Sequence, residues 1–568
     1  MDLWSGTGQT RASSVLSELI NWEQQGIPTD AGTSASQHFD LARMRRLLGR
    51  LGDPHRQVRA VHVAGSKGKG STVALISQAL RAAGHRVGVY TSPHLNHIGE
   101  RVAVLEPGSR SAGTLSLEAF ESLARAHEGA LRGAQSEEAG ALSHFEAVTA
   151  LAFRHFADEA VDVAVVETGL GGLTDATNVI EPEQLQVAII TAIGLEHADA
   201  LGGSLRSIAA AKAGIMKAGR PVVLALQPHA EVEEILLQHA AALGCPVVRA
   251  DEAVSVSHEG FELEGAGGVA EPPAASGAAA AAAAAAAGPG ATSGAAGPAG
   301  DAAAAGSAER GAAEEGSMPH ALSELLSVRG APGSVASGLS LDRARCALVG
   351  RHQHDNVAGA VSALCVLRGG PGGDSAKAAW AVPDEAIGRG VGAAWLPCRF
   401  EVRTLPGTGS PPLYAVLDGA HTRAAAVALS DTLSRAFPAA SPATLVLAMA
   451  GDKDVDGVVA ELRAGMAASM RCVVFTAAHI GGSGARSAAP GALAARWQAD
   501  TMLHPSPAGS IRVRQLIQAS LGAALNKARH ELSASAGTSG PALIVVTGSL
   551  HAAAAAGREL LALEDHVR

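Results

Sequence analysis

An α/β fold organised on a parallel sheet is predicted for this 568-residue chain by three features. Short apolar runs rich in Val and Ile recur along it, as expected of strands buried on both faces. Amphipathic segments at helical spacing stand between them. A Gly- and Lys-rich turn, Gly65-Ser66-Lys67-Gly68-Lys69-Gly70-Ser71, joins one such strand to one such helix. The alternation occurs on both sides of an Ala/Gly-rich stretch, so a central domain and a smaller C-terminal α/β domain are expected.

Taken in order, residues 1–15 form a tail with one Arg, one Asp and several Ser/Thr, without the apolar core of a secretory signal. Leu16 to Leu51 reads as helical. Val58, Val61 and Val63 mark a buried strand, and Val73, Ile76, Leu80 and Ala83 recur at helical spacing before Gly84 closes the helix. Arg86 to Ser92 is a second strand. Helices follow at Leu117 to Leu131 and Phe145 to Phe156. Val161 to Val166, Val187 to Ile193 and Pro221 to Leu226 are further buried strands, with a helix at Ser204 to Lys217. Such alternation implies right-handed crossovers.

Residues 265–335 are set apart as a disordered insertion, because the Ala, Gly, Pro and Ser of Gly265 to Gly316 bury too little apolar surface to offset the entropy of ordering. The central domain then covers 16–264 and 336–395, resuming with Leu348 to Leu367. Leu396 to Phe400 is an inter-domain hinge. Over 396–568, strands at Tyr414 to Leu417, Thr444 to Ala448, Cys472 to Thr476 and Leu543 to Thr547 alternate with helices from Thr422 and over Asp456 to Met466, a Rossmann-like arrangement.

A net charge of −10 and 3% aromatic residues argue against a general nucleic-acid binder. Five scattered cysteines without C-x-x-C spacing point to a reducing compartment and to neither a disulfide framework nor a zinc site. No apolar run is long enough to span a bilayer. A soluble intracellular protein is expected, with no nucleic-acid or membrane partner.

The turn carries the chemistry. Its glycines let backbone N–H groups approach phosphate oxygens, and the helix N-terminus adds partial positive charge. Lys69 is placed to reach the β/γ-phosphates and Ser71 to lie near a metal. The spacing G-x-x-G-K-G-S is a compact variant of the common phosphate loop. Glu167 ends a buried strand, where open α/β sheets bind ligands, and a carboxylate there can hold Mg²⁺ against ATP. Ser92 ends the second strand and His197 follows the strand Val187 to Ile193; each is unremarkable alone, but with Glu167 three successive strand ends point polar groups at one rim. Lys212 is either a helix-surface lysine or one carboxylated to a carbamate. Glu146 opens the Phe145 helix, where an acid suits the dipole. Asp418 and His421 follow a strand in the second half, and Arg399 at the hinge is placed to reach phosphates from across the cleft.

These stretches resemble the dihydrofolate synthase/folylpolyglutamate synthase branch of the Mur ligase superfamily, from about Leu16 to Ala554 outside the Ala/Gly-rich insertion. The resemblance rests on "VAGSKGKGST", "YTSPHL", "HFEAVTALAF", "VVETGLGGLTDATNVI", "GLEHADALGGSLRSIAAAKAGIMK", "HQHDNV", "LPCRFEV", "LDGAHT" and "VVTGSLH". "SHFE" looks nearest to plant-type dihydrofolate synthases, although bacterial bifunctional enzymes also have Glu at that position.

The resemblance implies a Mur-ligase-like central domain and an ATP- and Mg²⁺-dependent ligation of L-glutamate to dihydropteroate through an acyl phosphate. It implies that Ser66, Lys67, Gly68, Lys69, Gly70 and Ser71 bind ATP phosphates, and that Asn356, Arg399 and Asp418 contact the nucleotide across the cleft. Ser92, Glu167 and His197 would hold Mg²⁺. Ser143, His144, Phe145 and Glu146, with Thr174, Asp175 and Ala176, would line the pterin site. Lys69, Lys212 and His421 would serve catalysis, Lys212 matching a lysine carbamylated in relatives. A monomer is expected, and the plant-type likeness suggests mitochondria beside the cytoplasm.

Three departures stand out: Ser66 for the usual Thr, Cys398 where Gly commonly precedes the hinge arginine, and Thr422 for Asn. None removes a charged or metal-binding group. Folylpolyglutamate synthase, which extends an existing glutamate tail, is the alternative within the family. A non-catalytic nucleotide-binding scaffold would be expected to have lost Lys69, Glu167 or Lys212, and a motion-driving ATPase would need the common loop spacing.

Overall fold

The computed structural model describes residues 14–33, 38–109, 111–263, 320–369, 380–405, 412–439, 441–478, 486–504, 513–533 and 540–565. The expected N-terminal tail, but for Ser14 and Val15, and residues 265–319 of the expected insertion lie outside these.

Three sheets organise the chain. The first contains β1 (Ala60–Ala64), β2 (Val87–Tyr90), β3 (Val102–Leu105), β4 (Val163–Glu167), β5 (Leu185–Ile190), β6 (Val222–Leu224) and β7 (Val247–Arg249), in the order β3-β2-β4-β1-β5-β6-β7. All neighbours are parallel except β2 and β3. β1 and β4 are buried along their whole length, which is why they are runs of Val and Ala with no alternation. The helix Lys69–Ala82 covers one face. The helix Asp384–Ala393 crosses it so closely that a Cβ on Gly390 would stand 2.3 Å from the Ala79 Cα.

The second sheet is antiparallel, β10-β9-β8, made of β8 (Val254–Leu263), β9 (Leu322–Gly330) and β10 (Ser340–Cys346). Leu263 and Leu322 are paired at the open end of β8 and β9. This corrects the expected disordered span of 265–335, since Leu322–Gly330 is a largely buried strand. A boundary drawn from Ala/Gly composition cannot see a short apolar run at its edge.

The third sheet adds β11 (Glu401–Leu405), β12 (Leu413–Leu417), β13 (Ala443–Leu447), β14 (Met470–Phe475), β15 (Arg514–Ile517) and β16 (Ala542–Thr547), in the order β11-β12-β16-β13-β14-β15. All pairs are parallel except β11 with β12. The mixed α/β class with parallel sheets is as the sequence predicts. The two helical runs expected within Leu16 to Leu51, one up to Gly26 and one from His38, are in fact Ser14–Ser17, Trp22–Gln25 and Leu41–Arg50. Gly26, at φ 95°, stops the second after one turn, and the Asp40 carboxylate caps the third by accepting from Ala42 N and Arg43 N.

A buried ionic junction ties the lobes together. Glu324 on β9 has a fully buried side chain. Its Oε1 meets His258 Nδ1 of β8 at 2.8 Å, His354 Nε2 at 2.9 Å and Arg435 Nη2 at 3.2 Å; its Oε2 accepts from Gly350 N at 2.9 Å. His354 belongs to the helix Arg351–Leu367 of the central domain and Arg435 to the helix Arg423–Ala436 of the C-terminal lobe. Burial alone would push the Glu324 carboxyl up. The His354 hydrogen bond, the Gly350 N–H and the Arg435 charge overcome this and hold it down to about 2.

Candidate active site

The phosphate loop leaves β1 and enters the helix Lys69–Ala82 at the carboxyl rim of the first sheet. Gly65 and Gly68 have no substitute there. Both have positive φ, and a Cβ would stand 1.8 Å from Thr191 Oγ at Gly65 and 2.0 Å from Asn356 Oδ1 at Gly68. Gly68→Ala is therefore expected to lower Tm and to weaken nucleotide binding about tenfold, from roughly 1–2 kcal/mol of left-handed strain plus displacement of Asn356. Thermal denaturation and nucleotide titration check both effects.

Ser66 shapes the loop. Its N–H and that of Lys67 donate to Ala192 O at 3.0 and 3.1 Å, and its Oγ exchanges hydrogen bonds with Gly194 O and N, each 3.1 Å. The N–H groups of Lys69, Gly70 and Ser71 lie in the first helical turn, where they have no helical acceptor and are left for a ligand.

Lys69 Nζ stands 3.8 Å from Glu167 Oε1. Glu167 is 5% exposed, and Ser92 N donates to its Oε2 at 3.4 Å. Burial pushes the Glu167 carboxyl up, with the Lys69 charge opposing. His197 lines the same cavity with positive φ, and burial, then the Lys69 and Lys212 charges, push its imidazolium pKa down. Lys212, only 4% exposed, is no surface lysine: its Nζ donates to Gly65 O at 2.8 Å. Burial and the neighbouring Lys69 lower its pKa to about 7.

The opposite wall comes from the helix Arg351–Leu367 and the C-terminal lobe. Asn356 Nδ2 donates to Gln353 Oε1 at 2.8 Å, fixing the amide whose Oδ1 overhangs Gly68. Arg399 lies between Cys398 and Phe400, which both have left-handed φ (60° and 51°). Such backbone is uncommon for bulky residues and here turns the hinge sharply on either side of the arginine. Asp418 accepts from Phe400 N and Ala420 N, each at 2.8 Å, so it clasps the hinge to β12. His421 Nδ1 is 2.8 Å from Gly419 O, which leaves Nε2 toward the cleft. Lys67 spans the gap: its Nζ pairs with Glu196 and donates to Thr422 Oγ at 3.4 Å. These residues share one cavity of about 2040 Å³.

The seven expected pterin-site residues are not on that cavity's wall. Ser143 and Glu146 form a capping box, with Ser143 Oγ donating to Glu146 Oε2 at 2.7 Å and accepting from Glu146 N at 3.2 Å. The other Glu146 oxygen pairs with buried Arg43 at 2.8 Å. Asp175 caps the turn Ala176–Val179 through Thr177, and Ala176 is buried. His144 and Phe145 are half-buried, and Thr174 Oγ is a buried polar atom without a partner among the described residues. The motif "ERV" (Glu100 to Val102) also belongs to the resemblance, but no role is assigned to Arg101, whose buried guanidinium pairs with Glu23 and donates to His94 Nδ1 at 3.0 Å. Of its two partners, Glu23 lies 78 residues away, which no local pattern links to it.

The donor set suits a nucleotide-borne divalent ion. Mg²⁺ takes one or two protein carboxylates and completes its shell with phosphate and water. Among the described residues no group of three His, Cys, Asp and Glu stands ready to hold a metal alone. Glu167, buried beside a lysine and burdened by desolvation, matches a carboxylate that gains from a cation; Ser92 and a neutral His197 add two further lone pairs.

Residues 63–256 match the Mur ligase middle domain. The dihydrofolate synthase/folylpolyglutamate synthase of Bacillus subtilis is 42% identical over 192 residues, 34% of this chain and 43% of that protein. The folylpolyglutamate synthase of Lacticaseibacillus casei is 40% identical over 185 residues, 32% of this chain and 41% of that one. The chain thus spans about two-fifths of the length of these relatives. Across the whole fold, the Mycobacterium tuberculosis folylpolyglutamate synthase complexed with ADP superposes with a TM-score of 0.65 at 27% identity, covering 92% of this chain and 94% of that one. Fold and sequence together define a protein built around a Mur ligase middle domain. Within that class, the chain is similar over the matched stretches to the dihydrofolate synthase/folylpolyglutamate synthase family.

Proposed function

We propose that the protein is an ATP-dependent ligase that joins L-glutamate to a pterin carboxylate, with dihydropteroate as the first acceptor. The observation that carries this is the cavity between two polar rims: Lys69 and Glu167 on one side, Arg399 and His421 on the other. Attack of the carboxylate oxygen on the γ-phosphorus gives an acyl phosphate and releases ADP. The glutamate amine then attacks the acyl carbon, losing a proton as phosphate leaves. Lys69 and the free N–H groups of the loop counter charge on the transferring phosphoryl group, and Arg399 holds it from across the cleft. A divalent cation, held by Glu167, Ser92 and His197, would neutralise phosphate charge when bound. The stretch Ser143 to Glu146 favours dihydropteroate, and the fixed Arg43–Glu146 pair would brace the first turn presenting His144 and Phe145.

The test measures ATP turnover with dihydropteroate and with tetrahydrofolate, each with L-glutamate. Turnover with dihydropteroate is expected; turnover with tetrahydrofolate alone would overturn the choice of acceptor.

Lys212 is proposed to act as a carbamate. Its amine is largely neutral above pH 7, and only the neutral amine adds CO2, giving N–COO⁻ and releasing one proton. Turnover is therefore expected to fall as pH drops through about 7, and added bicarbonate to lift that acid limb. In Lys212→Met the bicarbonate effect should vanish. A limb indifferent to bicarbonate in the unaltered protein would remove the carbamate.

A further inference from the structure

The wall segment that follows β2 is pinned by three charged side chains. Ser92, Pro93, His94 and Leu95 all line the cavity. Ser92 N donates to Glu167 Oε2 at 3.4 Å, and Leu95 N and Asn96 N donate to the Glu100 carboxylate at 2.7 and 3.1 Å. Between these anchors, Arg101 Nε donates to His94 Nδ1 at 3.0 Å. Arg101 is locked in turn. Its side chain is fully buried, its two terminal nitrogens meet both carboxylate oxygens of Glu23, and its carbonyl accepts from Thr91 N at 3.0 Å. Glu23 belongs to the helix Trp22–Gln25, so the N-terminal segment reaches the cavity wall through one rigid, fork-shaped cation.

That contact decides the form of the imidazole. A guanidinium has donors and no acceptor, so the ring nitrogen facing it must offer a lone pair. Nδ1 is therefore bare, and the ring's single proton is on Nε2. Nε2 makes no hydrogen bond among the described residues, and His94 lies on the wall at most about 7 Å of chain from Ser92. Phosphate oxygens already have Lys69, the loop N–H groups and Arg399. The oxygen that stays on the acyl carbon has no donor among these groups.

We propose that His94 is a catalytic residue whose Nε2–H donates to that acyl oxygen, and that Arg101 and Glu23 are positioning residues that hold the ring in this tautomer. The inference rests on the ligase reading above. As the amine lone pair forms the C–N bond, the C=O electrons move onto the oxygen that His94 faces. They return as the C–O bond to phosphate breaks and phosphate leaves with its electron pair. The ammonium proton passes to solvent. His94 neither gains nor loses a proton; it supplies a fixed donor where negative charge develops.

The experiment compares the unaltered protein with His94→Asn, His94→Gln and Glu23→Ala. Asn keeps an oxygen near Nδ1 for Arg101 but no N–H at the position of Nε2; Gln restores an N–H there. With dihydropteroate, ATP and L-glutamate, His94→Asn is expected to lower kcat about 10²-fold, with each KM within about twofold. His94→Gln should recover about tenfold of that loss, and Glu23→Ala should lower kcat about tenfold. Imidazole nitrogen NMR of histidine-labelled protein should show one Nε2–H tautomer that is absent from His94→Asn and exchanges between tautomers in Glu23→Ala. Unchanged kcat in His94→Asn, or an Nδ1–H tautomer at His94, overturns the proposal. Equal losses in the Asn and Gln variants do the same, as the mark of a merely structural ring. An unaltered protein that consumes no ATP with any pterin sinks the ligase reading instead, and the histidine spectrum then still reads whether Arg101 locks the tautomer.

Discussion

Lys69→Ala is expected to lower kcat by a factor of about 10²–10³, the usual effect of removing one preorganised group that stabilises developing charge. Lys69 stands at the first turn of the loop helix, 3.8 Å from Glu167. Two losses coincide. The transferring phosphoryl group loses its nearest fixed cation, and Glu167 loses the charge that most opposes its protonation. Glu167 then holds a proton to higher pH and is a poorer partner for a divalent ion. The variant should therefore show its remaining activity displaced toward alkaline pH, while Tm moves little because the pair is only partly closed. A pH–rate profile with saturating ATP, beside a melting curve, separates these effects. Unchanged pterin-dependent turnover would place the phosphoryl chemistry elsewhere.

Glu324→Ala should cost stability rather than chemistry, about 3 kcal/mol, because it leaves the partly buried Arg435 and two partly buried imidazoles without their shared acceptor. The pH dependence follows from the carboxyl's depressed pKa. Its contribution is fully present above the unfolded value of 4.5 and is lost as pH falls toward 2. Denaturant unfolding of the unaltered protein should therefore weaken over that window, and the variant should lose much of this slope. Glu324→Gln, which keeps an acceptor but not the charge, should fall between them. The junction also sets the site: Asn356 is two residues beyond His354 on one helix, and Thr422 caps the helix that carries Arg435. Nucleotide KM is expected to rise in both variants.

What the sequence makes legible is what is local. The phosphate loop, the buried strands and the polar strand ends each occupy a few consecutive residues, and all appear where periodicity and glycine spacing place them. Ser66 was expected at the phosphates because it lies in the motif, yet its amide and hydroxyl are consumed by Ala192 and Gly194, more than a hundred residues away. Ser143 and Glu146 show the converse. Their spacing also fits a capping box, and whether the oxygens serve a helix or a ligand depends on Arg43, which no pattern links to them. Glu324 leaves no trace at all in the sequence. Its partners come 66 residues earlier and 30 and 111 residues later. The grouping of Leu322–Gly330 with the Ala/Gly stretch hid the strand that carries it.

The pairing of Leu263 with Leu322 makes the open end of β8 and β9 a natural graft point. Neither strand lines the cavity, so bridging the pair with a two-residue Asn-Gly turn should leave nucleotide binding intact. By the same geometry a fluorescent reporter could be spliced between these two leucines, giving a tagged protein without disturbing either terminus.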